Sequence, residues 1–199
     1  MRQGPLPQRR VAWVETCINV TFGGSDFRRY VATVSGAGAR QVASNGGRPF
    51  VSWFDASSIV REGPPAGAPP LAPDNSLCVP DPATATNGVC GTLIARDPAR
   101  HLRHPSVSPD RRFVVAAAYA PPPGDDLAID HAGAIVVFDA RTGALVRELT
   151  AGTGDSGPVF SPDGRFVAFE RSGSIWRVPV AGGRATRIVR GARQPARGR

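Results

Sequence analysis

The sequence has no lysine: all 24 basic residues are arginine, and against 16 acidic residues they give a net charge of +8. That absence reads as the codon bias of a GC-rich genome. A pI near 11.0 permits attraction to anionic surfaces. The usual companions of a nucleic-acid footprint are nevertheless missing, since no basic patch interleaved with aromatics and no binding motif accompanies the charge. Arg190, Arg193, Arg197 and Arg199 fall in the tail "RGARQPARGR", and the other arginines are spread along the chain. Solvated charge is therefore the expectation, and nucleic acid is not an expected partner.

Long apolar runs are also absent. None approaches the ~20 residues of a membrane span, and "MRQGPLPQRRVAW" lacks the apolar centre of a secretory leader. Taken literally, that start places the chain in the cytoplasm. Stretches of helical period are missing too; 23 Gly and 20 Pro sit among short apolar runs, which favours many brief strands joined by turns. With 41% hydrophobic residues the chain can still pack a core.

Cysteine and histidine are scarce. Cys78 and Cys90 bracket "VPDPATATNGV", a turn-rich loop that a disulfide could close, contributing roughly 3 kcal/mol by chain-entropy reasoning. Cys17 has no evident partner, and three reduced thiols is an equally open reading. None of the three has metal-ligand spacing with His101, His104 or His131, so no metal and no cofactor is expected. The histidine shortage also bears on Gly154-Asp155-Ser156-Gly157-Pro158, which resembles the nucleophile loop of chymotrypsin-like proteases. A nucleophilic Ser156 needs a base, placed well upstream in that family, yet no histidine precedes residue 101 and the second glycine after the serine is missing. No Gly-x-Ser-x-Gly elbow and no phosphate-cradling glycine loop occurs either. Asp125, Asp126, Asp130 and His131 fall in "PPPGDDLAIDHAG", which reads as a solvated loop in preference to a cation site. No catalytic residue is expected.

What the chain does have is a repeat. "HPSVSPDRRFVVAAAY" from His104 and "SGPVFSPDGRFVAFER" from Ser156 share a proline, a short apolar run, Ser-Pro-Asp, a basic residue, Phe and a second apolar run. Ser108 and Ser161 stand 53 residues apart. Each copy is followed by a strand-turn-strand unit, "GAIVVFDARTGALVREL" and "GSIWRVPVAGGRATRIV". Weaker copies lie upstream: "RRVAWVE" matches "GRFVAFE", "YVATVSGAGARQV" matches the hairpin unit, "RPFVSWFDASSIV" is a degenerate Ser-Pro-Asp unit, and "GTLIARDPARHL" its hairpin.

The corners have a physical reading. In Ser161-Pro162-Asp163-Gly164, proline presets φ, the Ser and Asp oxygens accept from nearby N–H groups, and glycine tolerates positive φ at the exit. Ser108-Pro109-Asp110 forms the same corner, with Arg111 in the glycine position at a cost of about 1–2 kcal/mol if it is left-handed.

Four-stranded units repeating at this spacing fit the blades of a β-propeller, each too thin to bury its two faces alone. "FSPDGRFVAF" after a proline, followed by "GSIWRVPVAGG" and "TRIV", closely resembles the repeat of TolB-like propellers, whose blades also occur in prolyl-oligopeptidase-type peptidases. The match is strong over 157–190, good over 104–150 and weak over 9–102. The resemblance implies an all-β partial propeller of about four four-stranded antiparallel blades, a fragment of a six- or seven-bladed ring. The blades are placed at 9–46, 47–102, 103–152 and 153–190, with a Pro-rich insertion at 62–90 and disordered ends at 1–8 and 191–199. It further implies a periplasmic or extracellular scaffold that binds another protein, with self-association through open blade edges as a second route to a partner. The alternative is the substrate-gating propeller of a prolyl-oligopeptidase-like hydrolase whose catalytic domain is absent here.

Overall fold

The computed structural model describes residues 10–19, 24–33, 40–43, 51–54, 58–63, 75–80, 90–120, 133–152, 154–193 and 195. Among them there is no helix, and fifteen strands form four sheets in which every neighbouring pair is antiparallel. The first sheet has three strands, β1 (Arg10–Asn19), β2 (Gly24–Thr33) and β3 (Arg40–Ala43). The second runs β4 (Val51–Trp53), β5 (Ile59–Gly63), β6 (Ser76–Pro80) and β7 (Cys90–Arg96). The third holds β8 (His101–Val107), β9 (Phe113–Tyr119), β10 (Ala134–Asp139) and β11 (Leu145–Glu148); the fourth holds β12 (Asp155–Phe160), β13 (Phe166–Arg171), β14 (Ser174–Pro179) and β15 (Thr186–Arg190). Strand order follows chain order throughout, so each sheet is a meander, the form of a propeller blade.

Stacking of blades 2, 3 and 4 explains why their strands read as continuous apolar runs. Side chains alternate across a strand. In blade 3, Val114, Ala116, Ala118, Val136 and Phe138 face Val60, Leu77 and Ile94 of blade 2. The intervening Val115, Ala117, Ile135 and Val137 face Phe160, Val167, Phe169 and Val178 of blade 4. Both faces of β9 and β10 are therefore dry, and each fully buried aliphatic side chain contributes about 1.5–3 kcal/mol.

The two Ser-Pro-Asp corners are superimposable in their bonding. Ser108 Oγ donates to Asp110 Oδ1 at 2.7 Å and accepts from the Phe113 N–H at 2.9 Å, while Asp110 Oδ1 accepts from the Arg112 N–H at 3.1 Å. Ser161, Asp163, Phe166 and Arg165 repeat this at 2.6, 3.0 and 3.1 Å. The turns close through Arg111 N–H to Ser108 O and Gly164 N–H to Ser161 O, both 2.9 Å. Arg111 is left-handed at φ 61° and Gly164 at φ 71°. At Gly164 a Cβ would also stand 3.3 Å from Pro109 Cδ, so the blade 4 corner favours glycine on steric grounds as well.

Three expectations from sequence are corrected. The span 62–90 is not one insertion: it contains the end of β5 and the whole of β6, because the short "SLCVP" run buries Leu77 and Cys78. Residues 91–102 are not a hairpin within a blade. β7 closes blade 2 and His101 opens blade 3; between them Asp97 Oδ1 accepts the N–H groups of Ala99 and Arg100 at 3.0 and 3.1 Å and turns the chain. Finally, Ser156, whose surroundings resemble a nucleophile loop in sequence, lies within β12 opposite Glu170, and Asp155 beside it is held by the backbone of Gly133 of blade 3 (2.8 and 3.1 Å).

Candidate interaction site at the inner strands

β4, β8 and β12 are the first strands of successive blades and pack side by side. The same polar latch joins each to the next. The Val107 N–H donates to Ser52 Oγ at 3.2 Å, and one blade on the Phe160 N–H donates to Ser106 Oγ at 3.3 Å. This fixes the inner strands as a rigid frame on which the corners and loops are carried.

Toward their starts β8 and β12 break register, between Arg103 and Ser106 and between Ser156 and Val159. His104 and Gly157 sit there at φ 53° and 56°, each followed by proline. The 53-residue offset thus places Ser156 opposite Arg103. Glycine adopts this backbone freely, whereas histidine does so at about 1–2 kcal/mol. Glu62 on β5 offsets that cost by accepting the His104 N–H on Oε1 at 3.0 Å, a charge-assisted bond between blades.

Unusual side chains gather around these bulges. In blade 3, the Arg103 guanidinium lies over the Tyr119 ring at 4.8 Å, and Tyr119 packs on His101 with centroids 5.3 Å apart and its hydroxyl 3.4 Å from Nδ1. Arg61, Glu62 and Arg103 are each at most 1% exposed. In blade 4, Arg171 grips the fully buried Asp155 carboxylate through Nε at 2.6 Å and Nη2 at 2.7 Å. That bidentate bond raises the Arg171 pKa further above its ordinary value. The same guanidinium stacks over Phe169 at 5.1 Å and Trp176 at 5.2 Å, and Arg187 lies over Trp176 at 5.8 Å.

The sequence-read residues are dispersed. Ser108, Pro109, Asp110, Ser161, Pro162, Asp163 and Gly164 lie at the corners, at the far ends of the inner strands from the bulges. The Asp110 and Asp163 carboxyls are held below the ordinary value, first by the Ser108 and Ser161 hydroxyls and then by the Arg112 and Arg165 N–H groups. Ser156 lies opposite Glu170 inside a ladder, not on an exposed elbow. Cys78 is disulfide-bonded, and the backbone of Cys90 lies on the neighbouring strand, opposite Pro80. Cys17 falls on β1; the loop containing Asp125, Asp126, Asp130 and His131, and residues 64–74 and 81–89 of the Pro-rich region, lie outside the described residues. No group of three His, Cys, Asp or Glu is arranged for a metal ion among the described residues.

Sequence reasoning missed the buried charges. Their one signal is a charged residue inside an apolar strand, as in "IVREG" and "FVAFER", where a solvated strand end is the ordinary interpretation.

Acinetobacter baumannii TolB superposes on 90% of this chain with a TM-score of 0.63 at 19% identity. The blades are TolB-like in fold. An oligogalacturonate lyase in complex with manganese matches over 92% of the chain with a TM-score of 0.55 at 15% identity, and Pyrococcus horikoshii acylaminoacyl peptidase over 92% with 0.57 at 11%. The chain spans only 41%, 50% and 31% of those proteins, respectively. No family model and no curated protein sequence matches it.

Proposed function

We propose that this TolB-like chain is a non-catalytic scaffold of the bacterial cell envelope, presenting the loops and corners of a rigid inner frame to another protein. The observation that carries this reading is the fold likeness to TolB, together with side chains that are spent on bonds within and between blades. Glu62 is used on a backbone N–H, Asp155 on Arg171, and the corner serines and aspartates on each other. Such internal pairing fits a body built for rigidity.

The disulfide at Cys78 supports an oxidising location. We assign Cys90 as its partner, since β6 and β7 are paired and their registers bring Pro80 opposite Cys90. No helix among the described residues is long and apolar enough to cross a membrane. The location is tested by fusing the native gene product to a reporter active only outside the cytoplasm. Activity of that reporter supports the envelope reading, and its silence beside an expressed fusion refutes it. The pairing is tested by thiol labelling of the unreduced, denatured chain: a single reactive thiol, mapped to Cys17, is expected.

A second reading, the gating propeller of a prolyl-oligopeptidase-like hydrolase, draws on the likeness to the Pyrococcus peptidase. Tight, stoichiometric binding to a separate α/β-hydrolase encoded beside it would favour that reading over the scaffold.

A further inference from the structure

β15 is the outermost strand of blade 4, bonded to β14 on one side only. All five of its residues are exposed, Ile188 at 49% and Val189 at 47%. Blade 3 packs on the face of blade 4 that carries Phe169 and Val178, and so leaves this perimeter edge open. An open strand edge offers a row of main-chain N–H and C=O groups to an extended chain that can lie beside it.

Which chain can do so is set by charge. The β14–β15 hairpin, from Ser174 to Arg190, carries Arg177, Arg184, Arg187 and Arg190 and no acid, and all four arginines are exposed. The acids of blade 4 are engaged elsewhere, Asp155 by Arg171, Asp163 by Arg165 and Glu170 by Arg193. The matching edge of blade 3 differs. There Arg147 of β11 fills the place a Cβ on Gly182 would take, and Glu148 accepts from Arg100 at 3.0 Å, so both charges are spent on neighbours.

A register shift sharpens the pattern on β15. Arg187 pairs with Trp176, Val189 with Ile175 and Arg190 with Ser174, so the ladder slips by one residue at Ile188. Trp176 and Ser174 are two apart and share a face of β14; Arg187 and Arg190, three apart, therefore share it too. Val189 lies on the other face. Arg187 is steadied by its stacking over Trp176 at 5.8 Å.

We propose that the β15 edge docks an extended segment of a partner protein with carboxylates at alternate positions and apolar residues between them, added to blade 4 as a further strand. The carboxylates meet Arg187 and Arg190 on one face, and the apolar side chains meet Val189 on the other. A second copy of the same edge is a poor occupant, because it sets arginine against arginine. The surface lies on the perimeter, away from the inner frame, and the inference stands whether or not the scaffold reading does.

Isothermal titration calorimetry on the full chain tests this with a short synthetic peptide in which aspartate and valine alternate. It is expected to bind at low salt with a dissociation constant below about 1 mM. A block isomer with the same aspartates made contiguous should bind at least about tenfold more weakly, as should the alternating peptide N-methylated at every residue, which cannot donate to the edge. The double change Arg187→Glu with Arg190→Glu should abolish binding and confer binding of the peptide with arginine in place of aspartate, a gain that structural damage does not produce. Equal affinity for the alternating and block peptides overturns the proposal, since it marks plain attraction of anions. So does the lack of any peptide binding, with or without binding of phosphatidylglycerol vesicles or DNA. The peptide comparisons use the native chain, so they remain decisive even if the variant fails to fold.

Discussion

Blades 3 and 4 share their corner bonding, their bulge and a constant offset of 53 residues, yet the residues paired near the start of the inner strand differ. Blade 3 places Leu102 opposite Ala118 there; blade 4 places Asp155 opposite Arg171. Leu102, Ala118 and Asp155 are buried, Arg171 is partly exposed, and both ladders continue through the position. A blade is therefore specified by its turn chemistry and its register, and the filling of a given slot is negotiable provided it is complete. An ion pair serves when both oxygens are matched, and an apolar pair serves by removing the charges altogether.

Substitutions at several levels distinguish the two blades. The largest effect is expected at Phe160, 1% exposed in the core between the two blades: Phe160→Ala should cost about 3–5 kcal/mol in a urea unfolding curve. Arg171→Ala comes next, at about 3 kcal/mol, because it leaves the buried Asp155 carboxylate without its partner. The double change Asp155→Leu with Arg171→Ala copies the blade 3 pair into blade 4 and should recover most of that loss. A double variant no more stable than Arg171→Ala would show that the slots are not interchangeable.

Corner exchange is a finer test. Arg111→Gly should stabilise blade 3 by up to about 1 kcal/mol, and Gly164→Arg should destabilise blade 4 by about 1–2 kcal/mol, as read from unfolding midpoints. The corners also set an acid response. Asp110 and Asp163 are held below the ordinary carboxylate value, so their contribution is present above pH ~4 and is lost as the pH falls through the lowered folded-state values. Ser108→Ala together with Ser161→Ala should therefore shrink the difference in unfolding midpoint between pH 7 and pH 3. The smallest effect belongs to Ser156→Ala, half-buried in β12: a change within about 0.5 kcal/mol and no loss of any activity the chain proves to have.

Much of the fold is legible because the signals are local. Ser-Pro-Asp carries its hydrogen bonds within five residues, and "GAIVVFDARTGALVREL" contains both strands and the turn of its hairpin. The upstream blades were read less well for the same reason. β4 to β7 are short and separated by Pro-rich segments, so the run containing Leu77 and Cys78 resembled part of a loop, and the Asp97 turn between blades resembled a turn within one. The candidate site was scarcely legible. Its pairs, Glu62 with His104 and Ser106 with Phe160, lie 42 and 54 residues apart, and no local pattern announces them.

By itself the sequence determined the repeat, the chemistry of the corners and the antiparallel blades, since each follows from residues close along the chain. Tertiary structure decided what each blade faces. It made the apolar run of β9 serve two cores at once, it turned Gly154-Asp155-Ser156-Gly157-Pro158 from an apparent nucleophile loop into a bulged inner strand, and it gave Glu62 a partner in the next blade. The physical reason is that a strand's side chains alternate by geometry alone, whereas burial depends on the neighbouring blade, which only the folded stack supplies.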